Sequence, residues 1–168
     1  MNTSAVTSTK DPAATLELST PSDREIRIER IFNATRSRVW KAFTDPKLIP
    51  QWWGRGNKLV IERHELVRGG HWRFVEHGPN GTANGFEGRF REVVPEERVV
   101  QTFEWDGMPG HVVIETVTLE DLGDGRTKIV NVSLFHTKEE RDGMLHSGME
   151  GGLKDSYAAL DKLLAQAN

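Results

Sequence analysis

The sequence predicts an α+β fold in which an antiparallel sheet packs against a long C-terminal helix. Apolar and polar residues alternate from Arg24 onward, and six further segments are rich in Val, Ile, Phe and Trp. The last twenty residues carry a helical apolar stripe. The separators between the segments are too short for crossover helices, so neighbouring strands should pair antiparallel. We expect seven strands, two short helices after the first strand, and one long helix at the end.

The first strand has one charged residue on its apolar face. Alternation places Arg30 on the same side as Ile26, Ile28 and Phe32. The preceding residues, 1–22, contain nine Ser or Thr and two Pro, and they show no apolar periodicity. Such a segment buries too little surface to offset its ordering entropy. We therefore expect a flexible tail over residues 1–22 and one domain over residues 23–168.

The two short helices are marked by proline and glycine. The first is predicted over Arg36 to Thr44, where Asp45-Pro46 ends it, and the second stops at Gly54. The six later strands are expected near 58–67, 71–77, 83–94, 98–106, 111–122 and 126–136.

Two capping-box patterns follow the last strand. Thr137 with Glu140, and Ser147 with Glu150, have the spacing in which a hydroxyl and a carboxylate satisfy the free amides of a helix start. The final helix then presents one apolar stripe, formed by Met149, Leu153, Tyr157, Leu160 and Leu164.

Composition excludes several classes of function. The chain has 168 residues and no cysteine, so thiolate nucleophiles and disulfides are excluded. Its net charge is −3 and its basic residues are scattered, which argues against a nucleic-acid partner. No apolar run approaches the roughly 18 residues of a membrane span, and no leader pattern opens the chain, so a cytoplasmic location is expected. Phosphate-loop and paired-histidine motifs are missing, and we expect neither a metal nor another cofactor.

Six motifs together resemble a known family. They are Arg-Ile-Phe-Asn-Ala at 30–34, Val-Trp-Lys-Ala-Phe-Thr-Asp-Pro at 39–46, Trp52-Trp53-Gly54, Gly69-Gly70-His71-Trp72, Gly85-Phe86-Glu87-Gly88 and Pro95-Glu96-Glu97-Arg98. Residues 24–165 resemble the family named after the C-terminal domain of the activator of the heat-shock-protein-90 ATPase. That family lies within the START-like, SRPBCC, birch-pollen-allergen-like superfamily.

The resemblance implies a helix-grip fold, in which the sheet wraps the last helix and encloses a cavity. Superfamily members include lipid carriers, hormone receptors, polyketide cyclases and hydrolase-like proteins. The chain departs from the family pattern at three places. Ala34-Thr35 replaces Ala-Pro, 65–68 replaces Asp-Leu-Arg-Pro, and Gly151-Gly152 replaces Gly-Trp. The missing indole at Gly152 would either enlarge the cavity mouth or loosen the start of the helix.

Arg30 is the most informative candidate site residue, because an unpaired buried guanidinium costs several kcal/mol. Alternation places Glu115 among inward residues as one partner, with Asn131 and Ser133 as further polar contacts. A purely structural ion pair at a sheet edge is the alternative. Alternation, the helical stripe and the family topology together predict a ligand-binding cavity lined by Arg30, Trp72, Phe74, Phe103, Glu115, Met149, Leu153 and Tyr157.

A second pair of polar residues is a candidate for acid–base catalysis. Glu62 and His64 lie two apart on one predicted strand, so they should point the same way and could act as a base and its orienter. The alternative is a polar outer face.

Three functions follow from these patterns. The preferred one is binding of a small apolar or amphipathic molecule, because no complete catalytic constellation is present. The second is a cyclase-, dehydratase- or hydrolase-like enzyme that uses polar groups such as Arg30, Glu62, His64 or Glu115 in the cavity. The third, implied only by the resemblance, is a co-chaperone of a heat-shock ATPase.

Overall fold

The computed structural model describes residues 15–166, and the structural statements below concern these residues. The strands are β1 Glu17–Ser19, β2 Glu25–Phe32, β3 Lys58–His64, β4 His71–His77, β5 Ala83–Val94, β6 Arg98–Trp105, β7 Val113–Asp121 and β8 Thr127–Leu134. The α-helices are α1 Arg36–Thr44, α2 Lys138–Leu145 and α3 Met149–Ala165. Two short 3-10 turns span Ile49–Gln51 and Pro79–Gly81.

The strands form one antiparallel sheet in the order β1-β2-β8-β7-β6-β5-β4-β3. Strands β3 to β8 follow one another as a meander, and β2 joins the sheet beside β8. Register shifts in β3 and in β5 interrupt the pairing, and such bulges bend the strands that carry them. The predicted α+β class, with a curved antiparallel sheet and a long C-terminal helix, is confirmed.

Within residues 15–166 the sheet has eight strands instead of the predicted seven. The additional strand, β1, lies within the segment expected to be a flexible tail, and its Leu18 pairs with Ile28 of β2. Leu16 and Leu18 also pack against the core. Three residues are too few to show alternation in a sequence, but they satisfy the free edge of β2. The rest of the expected tail, residues 1–14, lies outside the described residues.

The helices match the predicted positions with one difference. Helix α1 has the predicted bounds, and the hydroxyl of Thr35 accepts a hydrogen bond from the Arg38 amide at its start. The predicted second helix is only the 3-10 turn Ile49–Gln51.

The first capping box is partly realised and the second is not formed. Thr137 Oγ1 accepts from the Glu140 amide (3.1 Å) and begins α2. Gly148, with φ of 83°, precedes α3 without a side-chain cap. Ser147 instead donates its hydroxyl to the Met144 carbonyl (2.7 Å), because it lies at the end of α2.

The core has two parts. One lies between α1, α3 and the strands β2, β7 and β8, and it includes the fully buried Phe32 and Leu160. Burial of a side chain such as Leu160 stabilises the fold by about 2 kcal/mol. The other part lies inside β3 to β6 and below the 3-10 turn at Ile49. Trp40, Trp53 and Phe103 contact both parts, so the two halves of the sheet share one interior.

Candidate ligand-binding site

Four polar side chains cross the inner face of the sheet. Gln101 pairs with Glu115, and Glu115 pairs with Ser133. Ser133 pairs with Ile26, which is buried in the core, and directly opposed residues point to the same face. Asn131 lies two residues before Ser133 and therefore shares this face. We call Gln101, Glu115, Asn131 and Ser133 the polar band.

The polar band is deep in the protein and yet accessible. Its four residues are all half-buried, although they face the interior between sheet and helix. Burial removes water from the Glu115 carboxyl group and thereby raises its pKa to about 7. A residue that is deep and still keeps accessible surface lines a recess. From this combination we infer a recess between the sheet and α3, bordered by the polar band.

Hydrogen bonding in the polar band is incomplete. Gln101 Nε2 donates to Glu115 Oε2 at 3.2 Å, and this bond only partly offsets the raised pKa of the carboxyl. The Oδ1 atom of Asn131 is buried and has no hydrogen-bond partner among the described residues. A buried polar atom without a partner costs about 1–3 kcal/mol. The recess can therefore accept a molecule that donates hydrogen bonds.

Helix α3 forms the opposite wall. Met149 and Leu153 are half-buried and pack at the margin of the core, while Tyr157 is 3% exposed. The Tyr157 ring meets Phe32 edge-on, with 5.3 Å between the ring centroids. Burial and the negative charge of Glu115 both raise the pKa of the Tyr157 phenol, so it stays protonated.

Arg30 is buried as predicted, but its partner differs from the expected one. The guanidinium is 6% exposed and binds both carboxylate oxygens of Asp161 on α3, with Nη1 to Oδ1 at 3.1 Å. It also lies 4.7 Å above the Phe32 ring. The expected partner, Glu115, lies across the sheet from Ser133 and Ile26. Arg30 is four residues further along β2, where it lies opposite Ile129, so the two side chains are not direct neighbours. The structural ion pair is therefore the interpretation that the contacts support.

The predicted aromatic residues form a continuous wall beside the polar band. Trp72 and Phe74 are 2% and 8% exposed, and their ring centroids lie 5.0 Å apart. Phe103 is half-buried and lies 6.0 Å from Trp72. Gly88 makes room for the indole, since a Cβ there would lie 1.8 Å from the Thr102 carbonyl oxygen and 2.7 Å from Trp72 Nε1. Of these aromatics, Phe103 is the one with surface left to touch a ligand.

Glu62 and His64 do not face the same way, so the predicted pair is not formed. A bulge between Ile61 and Arg63 reverses the alternation. Glu62 is on the outer face, where it accepts from Arg73 Nε at 2.9 Å. His64 points inward, and its Nε2 lies 2.7 Å from the Thr44 carbonyl oxygen. Burial lowers the pKa of His64, so its ring is neutral and Nε2 donates this bond.

Arg55 occupies the space above Gly152 at the start of α3. A Cβ built on Gly152 would lie 2.6 Å from Cδ of Arg55. The Arg55 guanidinium is 3.3 Å from the buried carboxylate of Glu76, which also accepts from Asn57 Nδ2 at 2.7 Å. The stem of Arg55 therefore covers the position left by the indole that the family pattern usually has.

Sequence reasoning missed two residues of this region, Gln101 and Asp161. Gln101 faces Glu115 across the hairpin of β6 and β7, a pairing that depends on the register of a seven-residue loop. Asp161 follows Tyr157 by four residues and so lies on the same helical face. That spacing was a usable signal for a partner of Arg30.

No three acidic or histidine side chains within residues 15–166 are grouped as metal ligands. None of the described helices is long and apolar enough to cross a membrane.

Comparison with known proteins gives the same fold. A solved protein from Rhodobacter sphaeroides is 28% identical, with a TM-score of 0.83 over 90% of this chain and 98% of its own. A protein from Arthrobacter aurescens is 26% identical, with a TM-score of 0.81 over 93% and 94%. DynU16, described as a putative protein in the dynemicin biosynthetic locus, is 23% identical. Its TM-score is 0.65, and the match covers 86% of this chain and 48% of DynU16. No protein among those with curated functions matches the sequence.

The family model for Activator of Hsp90 ATPase homolog 1-like protein matches residues 33–165. This match includes every described helix and strand except β1 and β2. It agrees with the resemblance that the six sequence motifs indicated. The chain therefore belongs to the family of Activator of Hsp90 ATPase homolog 1-like proteins.

Proposed function

We propose that this protein binds a small amphipathic molecule in the recess between the sheet and α3. The observation that carries the proposal is the incomplete hydrogen bonding of the polar band. Among residues 15–166, Asn131 Oδ1 is buried and has no hydrogen-bond partner, and the desolvated Glu115 carboxyl accepts one hydrogen bond. A solid protein core rarely keeps such groups, because each one opposes folding. A bound molecule that satisfies them removes this cost.

The recess has the two-sided chemistry that an amphipathic molecule needs. Phe103, Met149 and Leu153 offer half-buried apolar surface, with Trp72 and Phe74 packed behind Phe103. The polar band offers hydrogen-bonding groups at the other side. Ligand sites of this type are mostly apolar and carry a few convergent polar groups that fix the orientation. The apolar part of the ligand would lie along α3, with its polar end at Glu115 and Asn131.

Binding of a neutral dye tests this function. N-phenyl-1-naphthylamine fluoresces when it leaves water, and we expect saturable binding to the folded protein with about one dye per chain. Leu153→Trp adds an indole to the recess wall and should weaken binding by about tenfold or more. Leu122→Trp is the matched control, because Leu122 is 37% exposed and lies just after the end of β7. Equal dye binding by both variants, with unfolding curves like that of the wild type, would remove the recess as the site.

Acid–base catalysis is a second candidate function, favoured by one specific observation. Glu115 has a pKa of about 7 and lies near the protonated Tyr157, so it can gain and lose a proton near neutral pH. Hydrolysis of p-nitrophenyl butyrate gives a simple test. Catalysis by Glu115 requires a rate that follows an ionisation near pH 7 and that Glu115→Gln reduces at least about 100-fold. A rate unaffected by this substitution excludes the role for that reaction.

A further inference from the structure

Within the described residues, the groups of the polar band that are incompletely hydrogen-bonded are acceptors. Asn131 Oδ1 is a carbonyl oxygen, and Glu115 offers carboxylate oxygens when it is ionised. The neighbouring donor, Gln101 Nε2, is already directed at Glu115. Ser133 can donate or accept through its hydroxyl. A ligand that completes the hydrogen bonding of the polar band must therefore supply hydrogen-bond donors.

Basic side chains of β2, of α3 and of the loop above Gly152 already form ion pairs with other carboxylates. Arg30 of β2 is bound by both oxygens of Asp161. On the exposed side of α3, Lys154 pairs with Glu150 at 3.2 Å. Arg55, which covers Gly152, is 3.3 Å from Glu76. Among the described residues, none of these cations forms an ion pair with Glu115.

We propose, on the basis of the proposed function, that the ligand's polar end is a protonated amine received by Glu115 and Asn131. An ammonium group supplies three donors and one positive charge, which matches two oxygen acceptors and one uncompensated carboxylate. A carboxylate ligand would place a second negative charge beside Glu115 and would leave Asn131 Oδ1 without a donor. A neutral alcohol can satisfy one acceptor but gives no charge compensation.

Three probes with the same apolar chain separate these chemistries. Decylamine, decanol and decanoate are each titrated against the protein with bound N-phenyl-1-naphthylamine, at pH 8 and below their micelle-forming concentrations. We expect decylamine to bind at least about tenfold more tightly than decanoate, with decanol between them. Moderate salt limits attraction of decylamine to the outer surface.

Two variants assign the preference to the polar band. Glu115→Gln keeps the shape of the side chain and should reduce decylamine affinity about tenfold while leaving decanol affinity unchanged. Glu120→Gln removes the same charge from the exposed outer face of β7 and should change neither affinity. An equal loss in both variants would mean that decylamine is attracted only by overall charge, and the proposal would be wrong.

The wild-type protein gives a test without any substitution. Below pH 7 Glu115 becomes protonated, so decylamine should bind about tenfold less tightly at pH 5.5 than at pH 8, while decanol is unaffected. The other ionisable or charged groups on the inner face of the nearby strands β2, β6 and β8 and on the α3 face that packs against them are the phenol of Tyr157 and the Arg30–Asp161 pair, while Gln101, Asn131 and Ser133 are neutral. The Tyr157 phenol stays protonated over this range.

The possible results distinguish the proposal from the function on which it rests. If decanol displaces the dye but decylamine binds no better than decanoate, the amine preference is wrong and the binding function stands. Tighter binding of decanoate would likewise overturn the amine preference and leave the binding function in place. If none of the three probes displaces the dye, the amine preference is wrong, whereas the binding function fails only if the dye itself does not bind or binds equally well to Leu153→Trp and Leu122→Trp.

Discussion

Replacing Glu115 by Gln should stabilise the protein at pH 8 and leave its stability unchanged near pH 4.5. The carboxyl group has a pKa of 4.5 in an open chain and about 7 in the folded protein. Folding therefore favours the protonated form. Its stabilising contribution is complete below pH 4.5, and it is lost as the pH rises through 7. Gln remains neutral at every pH and keeps a side-chain amide opposite Gln101.

The size of the effect follows from the difference between the two pKa values. A rise from 4.5 to about 7 corresponds to about 3 kcal/mol of unfolding free energy. The advantage of Glu115→Gln over the wild type should therefore grow from near zero at pH 4.5 to about 3 kcal/mol at pH 8. Other carboxyl groups titrate alike in both proteins, so their contributions cancel in the difference.

Urea unfolding at four or five pH values between 4.5 and 8 measures this difference. Glu120→Gln serves as the reference for removal of an exposed charge from the same strand. A pH-independent difference, or an advantage below about 0.5 kcal/mol at pH 8, would refute the claim that Glu115 is desolvated. The recess would then be wetter than the structure implies, and the polar band would not oppose folding.

Three further substitutions test the packing around the recess, each measured by urea unfolding against the wild type. Asp161→Asn leaves the buried Arg30 without its carboxylate and should cost about 2–4 kcal/mol; a loss below 1 kcal/mol would mean that the pair is solvated. Gly88→Ala forces a Cβ against the backbone beside Trp72 and should cost about 3 kcal/mol or prevent folding, whereas a neutral result would contradict this close contact. Leu18→Ala should cost about 1–2 kcal/mol because β1 packs on the core, and an unchanged stability would restore the expectation of a loose tail.

Most of the fold could be predicted because its signals are local. Strict alternation from Ile26 to Phe32 places the inward face of β2, and Asp45-Pro46 ends α1 where the sequence indicates. Strand β1 could not be predicted in this way. Three residues are too few to show alternation of apolar and polar side chains. They form a strand because they pair with β2, which is a tertiary contact.

The candidate site was harder to predict because it depends on register. Alternation placed Glu115 inward, and the sheet keeps that register from β6 to β8. In β3, by contrast, a bulge that has no sequence signature separates Glu62 from His64. The partner of Arg30 depends on how α3 crosses β2, since two acids, Glu115 and Asp161, were compatible with the sequence. Alternation and helical stripes specify a face, whereas contacts between elements specify the partner.

The side-chain amide signals of Gln101 and Asn131 test the central claim most directly. Both groups belong to the polar band, and nitrogen–proton correlation spectra resolve such amides individually. During a titration with decanol, we predict that both signals shift and saturate together with the methyl signals of Leu153. The amide of Asn84, which binds Trp105 at the exposed rim, is the reference and should stay in place. Shifts confined to Asn84 and other outer residues, or no saturable shift at Gln101 and Asn131, would contradict a ligand site between the sheet and α3.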